Sequence, residues 1–205
     1  MGSMEAWKDN HFKFTDLPKG IAANGEWSDL RKMDLSEIEY LIIWHHQNPT
    51  KDLTNLPIMP KLKYLEINWS GTSSLNGIER FPSLKRLELH NCTKLETIQN
   101  ICSIKKSIEY IHLDVCKKIS DHQKVVCCKQ LKTLCFNECG KTENISFLSL
   151  LPELEDFRFV HTDILDGNLT PLIEHDKIKN VGFLNKRHYS HKDTEIDELL
   201  RARSS

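Results

Sequence analysis

At 205 residues the chain fits one domain, and its composition, 39% hydrophobic and 28% charged, is ordinary for a soluble globular protein. A formal net charge of −1 gives no general affinity for nucleic acid or anionic membranes. No apolar run is long enough to span a bilayer, the polar start from Met1 to Phe14 carries no visible secretory signal, and an odd count of seven cysteines favours reduced thiols in a cytoplasmic compartment.

In chain order, Met1-Gly2-Ser3 reads as an expression scar ahead of Met4. Residues 4–37 carry Trp7, Phe12, Phe14, Leu17, Ile21 and Trp27 without a clean period, so 1–37 is read as an N-terminal cap with room for one degenerate unit. Asp29 to Glu37 fits a helix or a lead-in strand equally well.

From residue 38 one pattern recurs: apolar, two free positions, apolar, one free position, apolar. It runs through Ile38-Leu41-Ile43, Leu62-Leu65-Ile67, Leu84-Leu87-Leu89, Ile108-Ile111-Leu113, Leu131-Leu134-Phe136, Leu154-Phe157-Phe159 and Ile178-Val181-Phe183. The steps are 24, 22, 24, 23, 23 and 24 residues, a near-constancy that one match alone would not carry. The last two apolar positions alternate as in a strand with one buried face. The intervening returns bring further inward apolar residues: Leu75, Ile78 and Phe81, then Leu95, Ile98 and Ile101, later Ile145, Phe147 and Leu150, then Leu165, Leu169 and Leu172. No unit buries its apolar side alone, so stacking must make the core.

LKYLEINWS, LKRLELHNC, IEYIHLDVC and LKTLCFNEC resemble the leucine-rich-repeat signature, with Cys or Ser where many such families place Asn. The resemblance covers residues 38–186 and implies an α/β solenoid: a curved parallel β-sheet on the concave face, helical or irregular returns on the convex face. Residues 187–205 then form a C-terminal cap and tail. Asp193-Thr194-Glu195 followed by Ile196, Leu199 and Leu200 predicts a short amphipathic helix closing that edge, with Arg203-Ser204-Ser205 frayed.

On such a scaffold the residues flanking the inward positions face the concave surface. Tyr40, Trp44, Tyr64, Trp69 and Tyr110 place aromatics in its N-terminal half, a composition enriched among binding hot spots. Glu66, Glu88, Asp114, Glu138 and Asp156 add a line of acids suited to a partner with basic groups, and Arg86, His90, His112 and Arg158 complete the candidate partner-binding set. Charged residues cover any exposed surface, strands favour aromatics anyway, and Trp44 also fits a place under the cap.

Cys92, Cys116 and Cys139 stand 24 and 23 residues apart, one per repeat, and read as a stacked buried column. Zinc hooks bring paired cysteines two to four residues apart with a matching second pair, which this chain does not show, so no metal or other cofactor is expected. His45, His90, His112 and His161 lie near acids and Cys135, but no nucleophile motif, phosphate-cradling loop or metalloprotease signature accompanies them, and no enzymatic activity is expected. The basic stretch from Lys186 to Lys192 reads as a solvated terminal loop, not a nucleic-acid site.

The expected function is non-catalytic protein binding through the concave face. Its concrete form is an inhibitor or immunity protein that neutralises a cognate toxin or enzyme, since the ending is similar to that of stand-alone bacterial repeat proteins. The alternative is a recognition fragment of a larger receptor or ubiquitin-ligase adaptor, because similar cysteine-containing repeats occur in plant disease-resistance receptors and ligase adaptors.

Overall fold

The computed structural model describes residues 5–204; the Met1-Gly2-Ser3 segment, Met4 and Ser205 lie outside them. Strands β1 (Ala22–Glu26), β2 (Tyr40–Trp44), β3 (Tyr64–Asn68), β4 (Arg86–His90), β5 (Tyr110–Asp114) and β6 (Thr133–Asn137) follow one another in space as in sequence. After β7 (Lys141–Thr142), β8 (Asp156–Arg158), β9 (Asp163–Ile164) and β10 (Asn180–Gly182) complete the set, β8 and β10 closing an eight-stranded parallel sheet in the order β1-β2-β3-β4-β5-β6-β8-β10. β7 and β9 pair separately in the returns.

The register is constant. Ala23, Leu41, Leu65, Leu87, Ile111, Leu134, Phe157 and Val181 form one inward row, and Gly25, Ile43, Ile67, Leu89, Leu113 and Phe136 the next. A one-residue slip would turn every core side chain outward, which is why the register holds across unrelated return sequences. The returns descend through 3-10 turns at Ile78–Arg80, Gln99–Ile104, His122–Cys127 and Ser146–Leu150, and through helix α2 (Thr170–Glu174). Two expected inward residues differ: Leu150 and Leu165 are exposed, and Leu148, Leu151 and Ile164 fill those places. A 3-10 turn advances three residues per turn, so the buried position falls one or two residues from where simple apolar counting puts it.

One corner recurs after β2, β3, β4, β5, β6 and β8. His45, Trp69, Asn91, Val115, Glu138 and His161 all have positive φ, between 48° and 58°. This left-handed residue turns the following side chain inward, producing a buried column of His46, Ser70, Cys92, Cys116, Cys139 and Thr162. The thiols donate weakly to carbonyls of their own and the preceding repeat: Cys92 to Ile67 and His90, Cys116 to Leu89 and Asp114, Cys139 to Leu113 and Asn137. Thr162 Oγ1 does the same toward the Phe136 carbonyl at 2.5 Å. The column meets the polar backbone of the corner that would otherwise be stranded in the core. Thus the expected cysteine stack is present.

The expectation that all seven cysteines are reduced is overturned, because Cys102 and Cys127 form a disulfide between two neighbouring returns. The repeat step brings these two positions to a Cα separation of 5.6 Å, inside the bridging range. The thiol argument for a cytoplasmic compartment thereby loses its support. No helix among the described residues is long and apolar enough to cross a membrane.

At the N-terminal end, β1 pairs in register with β2 inside the segment read as a cap, and helix α1 (Trp27–Leu30) follows it. Most of Asp29 to Glu37 is therefore turn, neither helix nor strand. At the other end helix α3 (Asp193–Ser204) buries Ile196 and Leu200, whereas Leu199 faces solvent. Asp193 and Glu195 lie in its first turn and Arg201 and Arg203 in the last, matching the helix dipole. Arg203 is not frayed: its guanidinium donates to the carbonyls of Ile173, His175 and Ile178, groups that the end of the solenoid leaves without a next repeat. The basic stretch is not a free loop either. Tyr189 packs on Phe159 and Phe183, and Lys186 pairs with Asp163.

Candidate partner-binding surface

Three outward rows cross the concave face. The first is Ala22, Tyr40, Tyr64, Arg86, Tyr110, Thr133, Asp156 and Asn180; the second runs Asn24, Ile42, Glu66, Glu88, His112, Cys135, Arg158 and Gly182; the third runs Glu26, Trp44, Asn68, His90, Asp114 and Asn137. The alternation expected from the sequence is therefore present, but the surface is not equally open.

Residues 5–17 lie across the first row as a strap. Trp7 is buried against Tyr40 and Tyr64, with Phe12, Phe14 and Leu17 packed around them. Phe12 meets the Tyr64 ring edge-on at 5.3 Å. Arg86 binds the strap from below, donating to the Trp7 carbonyl and to Asn10 Oδ1, both at 3.0 Å. Its guanidinium also sits 3.9 Å from the centre of the Tyr110 ring and 2.5 Å from Glu88 Oε1. Tyr40, Tyr64, Arg86 and Glu88 were expected to meet a partner; they are buried instead. The reason is apolar demand: a segment with Trp7, Phe12, Phe14 and Leu17 must cover them somewhere, and the tyrosine row offers matching area. The unperiodic aromatics before residue 20 were the available signal, and they were read as an edge cap.

What remains open is a ledge along the carboxyl ends of the strands. At its N-terminal end Trp44 and Trp69 lie 5.3 Å apart, and the His45 ring stacks on Trp69 at 5.8 Å. Trp69 is 51% exposed. Trp44 does not sit under the strap; its Nε1 donates to Asn24 Oδ1 on β1. Next along the ledge, Glu88, His90, His112 and Asp114 form a square, since Glu88 faces His112 across β4 and β5 and His90 faces Asp114. Beyond it, Asp156 and Arg158 pair through two hydrogen bonds of 2.9 Å, and Glu138 meets Lys117 at 3.1 Å. Glu66 is half-buried and engaged by the Tyr64 hydroxyl and Asn68 Nδ2. The ledge therefore gathers Trp44, Trp69, His90, His112, Asp114 and Glu138 from the expected set; Asp156, at the amino end of β8, and Arg158, in the second row, lie on the sheet beyond the strap, with Tyr110 half-buried at its border.

Electrostatics follow from burial. Desolvation pushes the Glu88 carboxyl up, but His112, His90 and Arg86 outweigh it and hold it far below the usual carboxylate range. Desolvation pushes His90 down, and Glu88, Glu66 and Asp114 more than compensate, so its net shift is upward. Burial raises the Cys135 thiol to about 12, which leaves no thiolate for nucleophilic attack at neutral pH. A second concavity of about 1100 Å³ lies between the returns, lined in part by Val126, Phe147, Leu150 and Leu165 and in part by the charged Lys117, Lys141, Glu143 and Asp163.

No model of a protein family matches the chain, and neither does any curated protein. Solved structures do match, 44 chains in all. Internalin C2 from Listeria monocytogenes is similar over 79% of this chain and 76% of its own, at 18% identity and a TM-score of 0.52. This chain has a leucine-rich-repeat fold. An internalin (inlF) from the same organism also matches, over 78% of this chain and 61% of its own, at 14% identity and a TM-score of 0.37. At these identities the likeness concerns fold, and the site must be argued from this chain's own residues.

Proposed function

We propose that this solenoid is a non-catalytic protein-binding module that holds its partner on the open ledge, and that its role is to inhibit or neutralise a cognate enzyme or toxin. The observation that carries the reading is the Trp44–Trp69–His45 stack, with Trp69 and His45 exposed and Trp44 half-buried, and the acids Asp114, Glu138 and Asp156 further along the same sheet. A large aromatic surface held rigid at a strand corner is what a binding hot spot requires, because little side-chain entropy remains to be lost on docking. The acids along the sheet favour a partner with basic groups, chiefly through approach rate and orientation. Nucleic acid does not suit this ledge: its acids repel phosphate, and Lys186 and Tyr189 of the basic stretch are already engaged. The protonated, buried Cys135 speaks for binding over catalysis.

Affinity capture from the host lysate tests this. A Trp44→Ala/Trp69→Ala double variant should lose a protein that the wild type retains, whereas Leu150→Ala on the convex side should keep it. Retention of the same protein by both variants would move the site off the ledge.

A further inference from the structure

We propose that Glu88, His90 and His112 form a binding site for a divalent transition-metal ion, with zinc the best chemical fit. The reading does not depend on a protein partner. His90 Nε2 lies 3.0 Å from Glu88 Oε2, and His112 Nδ1 lies 3.7 Å from the same oxygen. Ligand atoms around tetrahedral zinc, with bonds of about 2.1 Å, stand about 3.4 Å apart, so the two distances bracket that edge. One ligand atom from each of the three residues lies within 4.8 Å of the others. The parallel ladder makes this geometry, because Glu88 and His90 share β4 and His112 sits opposite Glu88 on β5.

Two imidazoles and one carboxylate suit zinc and its neighbours among the divalent ions, and leave a fourth position for water or an incoming side chain. The rings are half-buried and reachable from the ledge. Charge favours a dication: Glu66, Glu88 and Asp114 face the site, and the cation Arg86 occupies the far oxygen of Glu88. His90 Nδ1 looks toward Asp114 Oδ2 at 3.7 Å, the carboxylate-behind-histidine arrangement that raises ligand basicity.

One contact opposes the ion. The Asn137 amide accepts from Val160 N–H and so presents its Nδ2 to His112 Nε2 at 3.2 Å. Without metal the His112 proton then rests on Nδ1, facing Glu88. With a metal at Nδ1 the neutral imidazole would carry its one proton on Nε2 instead, exchanged through water, and that N–H would face the amide donor. Asn137→Asp replaces the donor by an acceptor and should tighten the site about 10-fold.

The test is titration of the chelator-treated full chain with Co²⁺ at neutral pH, followed by the visible bands of four-coordinate cobalt and by calorimetry with Zn²⁺. One ion per chain is expected, weakened at least about 10-fold by His90→Gln and by His112→Gln and strengthened by Asn137→Asp. Imidazole NMR of the wild type does not depend on how the variants fold: Co²⁺ should perturb His90 and His112 before His11, His45 and His161. No stoichiometric uptake, or uptake that perturbs other histidines first, overturns the proposal.

Discussion

Removing Trp7 should detach the strap while leaving the solenoid folded. Trp7 is 6% exposed and is the buried anchor of the strap on Tyr40 and Tyr64. A tryptophan takes about 150–250 Å² out of water, which at about 25 cal/mol per Å² amounts to about 4–6 kcal/mol as an upper bound. Keeping the strap ordered costs about 1–2 kcal/mol for each residue, so its docking is a small difference between opposing terms. Trp7→Ala removes most of one of them. The inward rows from Leu41 to Phe157 do not touch the strap, so the loss appears as local opening, with Tyr64 and Arg86 becoming accessible. Amide exchange reads this directly. The Asp9 and Leu17 amides, bonded to Ala6 and Phe14, should lose protection, while those of Asn91 and Val115, bonded to Asp114 and Asn137, should keep it. Wild-type exchange at Asp9 and Leu17, or loss of protection at all four together, would refute the view of the strap as a separately docked segment.

Val115 is a β-branched residue at φ 54°, so Val115→Asn should stabilise the chain by about 1 kcal/mol and raise Tm by about 3 °C in a calorimetric scan. The Cys102–Cys127 bridge spans a sequence separation of 25; in a chain-entropy account its reduction, or Cys102→Ser, should cost about 3 kcal/mol in urea unfolding. An unchanged midpoint would show that the bridge does not constrain the unfolded chain. His46 and His122 are pushed below 6.5 chiefly by desolvation, and His122 Nδ1 lacks a partner among the described residues. The unfolded chain therefore binds protons more readily at these sites. Their stability contribution is complete above pH 6.5 and falls as pH drops from there toward the lowered folded values. Unfolding midpoints of wild type and His122→Gln across this range should show a shallower decline for the variant.

The sequence by itself determined the solenoid, its seven clear repeats and which residues alternate inward, because an apolar period of 22 to 24 residues has few other ways to be buried. It also determined the buried cysteine column, since one cysteine per repeat at a constant offset must occupy one place in the stack. Even the ledge was partly legible: Trp44, Trp69, Asp114 and Glu138 were marked by position alone. Tertiary structure decided the rest. Residues 5–17 cover Tyr40, Tyr64 and Arg86 through contacts up to 79 positions apart in the chain, and no local period records such a pairing. The Cys102–Cys127 bridge and the Glu88, His90 and His112 cluster are likewise juxtapositions across repeats. Their positions could be counted along the sequence, but the return geometry and cross-strand register that bring their reactive atoms together exist only once the units stack.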